Sequence, residues 1–341
     1  MAKSRPGAGS EVFVEAHRHV IGDGLWRNWH SWGRPGAVAR VGGVAAGRQI
    51  GYRRRKMTTA LHSGAIGVTT LEESPRQSMA ERQRLAVDDL LGAAKLWNLG
   101  WTLAWFDIKL RYRGSMLGPF WLTLSTGVMV GAMGLIYSTL FRMQLHEYLP
   151  FLAVSQVLWG FLASLVAESC TGFTSAEGMI RSFRMPFTLY GVRIVLRNLL
   201  VLAHNMLVIV VVDLSLSAWP GWHALLALPA LVLWLVDAMA VTMLLGAMCA
   251  RFRDIPPIVG SIMQMAFFIT PVIWKPELVG VHQWILPFNP FFTLLDIVRA
   301  PLLGETPSGA IYLSALVSSA VLWLAAWVLF ARVRGRIAFW V

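Results

Sequence analysis

The sequence predicts an all-α polytopic membrane protein: six transmembrane helices, an N-terminal amphipathic interface helix, and a re-entrant external segment before the last span. Three observations carry this. The 341 residues are 56% hydrophobic and only 14% charged, with mean hydropathy +0.57, more apolar than a soluble core requires. Four runs, 114–141, 149–167, 255–274 and 306–331, contain no Asp, Glu, Lys or Arg, and each is near or beyond the roughly 20 residues that a bilayer crossing needs. Two further runs, about 190–214 and 223–250, carry one Asp each.

Taken in order, residues 1–78 hold twelve Lys/Arg and five Asp/Glu, so 12 − 5 = +7 of the total +12, among Gly, Ser and Ala without apolar periodicity. That composition predicts a disordered basic extension with no continuous apolar signal-peptide core. Met57 and Met79 are plausible alternative starts. Residues 84–113 read as the amphipathic helix and a basic hinge: Leu90, Ala94, Trp97, Trp101, Trp105 and Ile108 recur at steps of three and four, a tryptophan-bearing stripe suited to the membrane interface. Residues 114–341 form the six-span domain.

The charges orient it. Lys109, Arg111, Arg113, Arg181, Arg184, Arg193, Arg197, Arg251, Arg253, Arg332, Arg334 and Arg336 fall at one face, and Arg142, Lys275 and Arg299 at the other. Twelve against three predicts that both termini are cytoplasmic. The basic excess is accounted for by this asymmetry and by anionic lipid, so nucleic acid is not an expected partner. The segment 281–304 is apolar but broken by Pro287, Pro290 and Pro301 into pieces too short to cross.

No phosphate-cradling G-x-x-x-x-G-K-S/T occurs in the sequence, nor H-E-x-x-H or G-x-S-x-G, so neither bound ATP, a metal nor a hydrolase nucleophile is expected. Cys170 and Cys249 are expected to be reduced structural thiols. Tyr137, Trp159, Phe267, Phe268 and Trp274 are candidate pore aromatics, with lipid-facing packing as the alternative. His204 and Asp237 reach similar depth if their two spans fold as a hairpin, which makes them a candidate intramembrane pair. The loop 177–186, EGMIRSFRMP, predicts a short helix starting at Glu177 and limited by Pro186, with Met179, Ile180 and Phe183 as an apolar knob beside Arg181 and Arg184.

Three segments, DIKLRYRGSMLGPFW (107–121), RFRDIPPIVGSIMQMAFFITPVIW (251–274) and NPFFTLLDIVRAPLLG (289–304), resemble the type-2 ABC exporter permeases. The similarity is to the branch that exports O-antigen and capsular polysaccharide, with teichoic-acid exporters next, and it covers about 84–341. The resemblance implies a homodimer of permeases in the bacterial inner membrane, two separate subunits that bind the ATP and Mg, and a lipid-linked glycan passing between the permeases. It also implies that the helix carrying Trp97, Trp101, Trp105 and Asp107, with Lys109, Arg111 and Arg113 after it, is the interface helix and hinge. By the same resemblance 177–186 is the segment coupled to the ATPase, and 281–304 is an external gate. The long N-terminal extension departs from the family pattern. Other classes to weigh are an exporter of drugs or small lipids and an integral membrane glycosyltransferase or acyltransferase.

Overall fold

The computed structural model describes residues 78–118 and 120–341, so the expected basic extension lies, except for Ser78, outside the described residues. Every regular element among them is helical. The helices are α1 (Met79–Lys95), α2 (Trp97–Arg111), α3 (Phe120–Leu140), α4 (Leu145–Thr171), α5 (Glu177–Ser182) and α6 (Phe187–Leu216). They continue with α7 (Ala227–Arg251), α8 (Ile255–Ile269), α9 (Pro290–Leu302) and α10 (Gly309–Trp340). Shorter 3₁₀ segments cover Thr174–Ala176, Gly221–Leu226 and Pro276–Phe288.

The expected interface helix is two helices. It begins at Met79, where the Ser78 hydroxyl accepts from Glu81 N, and breaks at Leu96, whose φ of −97° and ψ of 19° leave the helical region. The face turned to the bundle is not the tryptophan stripe. Ala86, Ala93, Gly100, Ala104 and Ile108 are buried, while Trp97, Trp101 and Trp105 are exposed. Close packing explains the choice: a Cβ on Gly100 would stand 2.9 Å from Val192 Cγ1 of α6. Small residues let helix backbones approach, and large apolar ones are left for the bilayer.

Five stretches are long and apolar enough to cross alone: α3, α4, α6, Gly221–Arg251 and α10. The first expected span starts six residues late, at Phe120, because Gly114 (φ 85°) lies in a turn after α2. The expected fifth span, 255–274, is helical only to Ile269. Its 15 residues rise about 22 Å, short of the ~30 Å hydrocarbon core. Thr270 is extended (φ −83°, ψ 138°), as the residue before Pro271 prefers. The chain continues to Ile273, whose carbonyl accepts from Tyr148 Oη at the start of α4. Past Ile269 the chain turns, Val272 N donating to Thr270 O at 2.7 Å, so α8 is a shorter apolar helix and not a full-length span.

After it, Pro276–Phe288 and α9 meet at an angle of 109°. Asn289 makes the corner, its side chain accepting from Phe291 N and Phe292 N and donating to Thr270 Oγ1. Pro276 and Leu303 border the same cavity as His146 and Ala218, so this segment enters and returns at one end of the bundle, as a re-entrant piece does. α4 is the most buried span and packs against α3, α6, α7, α8 and α9.

Candidate functional site

Polar side chains that a membrane helix would ordinarily avoid gather at the Arg-rich end, beginning with Asp89 of α1. Its buried carboxylate accepts from Phe187 N (3.1 Å), Thr188 N (2.8 Å) and Thr188 Oγ1 (2.7 Å) at the start of α6. It also accepts from Arg334 Nε of α10 at 2.8 Å, and Arg334 lies over the Phe187 ring. First-turn N–H groups have no partner within their own helix. A carboxylate borrowed from another helix satisfies two of them and meets the positive end of the dipole.

One helix further on, Asp107 of α2 is held by both nitrogens of an Arg193 fork, at 2.7 and 2.5 Å, and by Arg197 Nη1 at 2.9 Å. Arg197 also donates to Glu168 of α4 at 2.7 Å. Glu168 takes further bonds from Asn198 Nδ2 (2.6 Å) and Arg111 Nη2 (2.9 Å), and Ser164 donates to Asn198 Oδ1. Burial works against the Arg111 charge, but the hydrogen bond and charge of Glu168 outweigh it and leave its pKa above the ordinary value. Three guanidinium groups and two carboxylates therefore tie the end of α2 to α4 and α6, with bidentate arginine pairing adding geometric specificity. Asp107 and Arg111 were singled out in the sequence. Glu168 and Asp89 were missed, although a lone acid ending the apolar run 149–167 was a signal.

The loop before α6 forms the expected short helix, but the knob does not stay together. Met179 and Ile180 turn inward onto the cluster of Phe173, Tyr190, Met243 and Phe330, leaving Phe183 alone at 62% exposed. The division follows from the helix ending at Ser182, with Phe183 extended (φ −128°, ψ 134°). Glu177 pairs with Arg181 at 2.8 Å, Arg181 also reaches Val341 O, and Arg184 lies exposed. Lys109 and Arg113 are exposed too, beside Arg111.

The candidate aromatics separate. Trp159 is buried against Phe267 and Phe291, so it is a core residue. Tyr137 stacks on Phe141, Trp274 Nε1 is bonded to Phe268 O, and Phe268 alone is well exposed, at 62%. The expected His204–Asp237 pair is not formed. His204 Nδ1 lies 2.7 Å from its own helix's Leu200 O and its ring meets Phe120 edge-on, whereas Asp237 accepts from Ser319 of α10 at 2.6 Å. The two side chains are aimed at different neighbours. Cys170 and Cys249 are both buried and free.

Residues 98–303 match the family described as ABC-2 type transporter. The O-antigen export system permease protein RfbA of Myxococcus xanthus is 25% identical over 224 residues, 64% of this chain and 86% of that protein. A protein of the same description from Klebsiella pneumoniae is 22% identical over 191 residues, 55% of this chain and 74% of its own. With the matched region running from α2 through α9, the chain belongs to the ABC-2 type transporter family.

Proposed function

We propose that the chain is the permease subunit of an ATP-driven exporter that carries lipid-linked polysaccharide, of the O-antigen or capsule type, out of the bacterial cytoplasm across the inner membrane. The observation that carries this reading is the similarity to O-antigen export permeases over most of their length. Energy comes from two copies of a separate ATP-binding subunit, which hold the ATP and Mg, since the sequence has no P-loop. Both termini and the Arg-rich end face the cytoplasm, by the twelve-to-three charge asymmetry. There Phe183 is the exposed apolar anchor for the ATPase, with Arg184 at its rim. The clamp on Asp107 and Glu168 passes the push on to α4 and α6.

The translocation path runs between two copies of the chain. α3 is the least buried of the long spans, and α8 exposes Ser261, Gln264 and Phe268 at steps of three and four. Gln264 makes no hydrogen bond among the described residues and sits in the middle of a membrane helix. Hydrocarbon leaves an amide unsatisfied at a cost of several kcal/mol, so this face meets a second copy or a water-filled path.

Proteoliposomes holding the chain with its ATPase subunit should move a lipid-linked glycan on addition of ATP. The chain alone should neither hydrolyse ATP nor move the glycan. Turnover stimulated by small amphiphiles and not by the glycan would instead identify a drug or small-lipid exporter.

A further inference from the structure

At the bundle end away from the Arg-rich face, the starts of α4 and α10, the Pro276–Phe288 segment and α9 enclose a cavity of about 630 Å³. Pockets for small ligands span roughly 300–1,000 Å³. Four carboxylates line it, Glu147, Glu277, Asp296 and Glu305, against two fixed cations, Lys275 and Arg299.

The buried cation is already committed within the fold. Arg299, 2% exposed, donates to Asp296 Oδ1 and Pro271 O, each at 2.5 Å, and stacks on the rings of Phe151 and Phe292. Lys275 Nζ stands over the Phe151 ring as well. Asp296 is 9% exposed, and its second oxygen has no hydrogen-bond partner among the described residues. Trp284 at the mouth is 67% exposed, held edge-on by Phe288.

A ligand for these walls must supply hydrogen-bond donors to carboxylates and an apolar face to an indole, and four carboxylates against two cations work against an anion. Among the described residues no group of three or more His, Cys, Asp or Glu is placed to hold a metal ion, so the acids do not converge as ligands do. A pyranose ring has both required features: a fan of hydroxyl donors and a C–H face that stacks on tryptophan.

We propose that this cavity binds uncharged sugar units of a glycan, and not the phosphate-bearing end of a lipid carrier. It rests on the export reading for the presence of glycan at this face, and adds to that reading a docking site outside the membrane seam.

The test uses the full chain in nanodiscs, a neutral hexose tetrasaccharide as probe, and saturation-transfer NMR. Transfer to the sugar ring protons is expected, falling by about three- to tenfold in Trp284→Ala, the size of one aromatic stacking contact. Glu277→Gln should also weaken it, and this exposed position keeps the comparison alive should Trp284→Ala unfold. Trp222→Ala, at another exposed tryptophan outside the cavity, should change nothing. Equal transfer in wild type and both cavity variants, or stronger transfer to an oligomer of uronic acids, overturns the proposal. Glycan movement in the proteoliposome assay without tetrasaccharide binding would sink the cavity and spare the export reading. Binding without movement would do the reverse.

Discussion

Asp89→Ala should loosen α1 from the bundle, and the structure sets the size of the effect. The substitution leaves two first-turn N–H groups of α6 and the Arg334 guanidinium without their shared acceptor. Breaking a buried ion pair from one side costs about 3–5 kcal/mol, and losing a cap about 1 kcal/mol. The terms share one carboxylate and are not additive. The Arg334 side chain is 25% exposed and can reach solvent, which favours the low end, about 3 kcal/mol. Asp89→Asn keeps the shape and one acceptor oxygen and should cost less. Unfolding in mixed detergent micelles gives the total, and hydrogen exchange of the α1 amides locates it. In a cycle with Arg334→Ala the coupling should be about 1.5–3 kcal/mol, the range for hydrogen bonds to charged groups. A loss below 1 kcal/mol, or strict additivity with Arg334→Ala, would refute the claim that this carboxylate holds α1 to the bundle.

Other expectations follow from the same geometry. Asp107→Asn should retain insertion while lowering export and raising the exchange rate of α2 amides, because Arg193 and Arg197 lose their charged partner; unchanged exchange would mean the clamp does not set the hinge. Asp237→Ala and Ser319→Ala should couple by about 0.6 kcal/mol, the average for polar pairs between membrane helices, whereas Asp237→Ala with His204→Ala should be additive. Phe183→Asp should abolish pull-down of the ATPase subunit at moderate salt while the permease still inserts, and Met179→Ala should lower stability in place of capture. Undiminished capture by Phe183→Asp would exclude it as the anchor.

Hydropathy made the helical class and the long spans legible, since a crossing element must be both apolar and about 20 residues long. Pro290 reads as a break and falls at the start of α9, whereas 255–274 reads as one uninterrupted span although Pro271 disfavours a helical Thr270. The tryptophan stripe of α2 is left facing outward for a reason particular to bilayers. In water the large apolar stripe turns inward, but beside lipid it has no such incentive, and Ala86, Ala93, Gly100 and Ala104 pack instead. Their steps of seven and four were present in the sequence beside the more conspicuous tryptophans.

By itself the sequence determined the membrane class, the long apolar helices, the charge asymmetry and the lack of a P-loop motif within these residues. Each of these depends on local composition or on chain order, which no folding can alter. The tertiary structure alone decided partners: Asp89 with α6 and Arg334, Glu168 with Arg111 and Arg197, Asp237 with Ser319 in place of His204, and Phe183 apart from Met179 and Ile180. A polar side chain inside a membrane is obliged to find some partner, and which one it finds depends on the rotation and crossing of helices far apart in the chain.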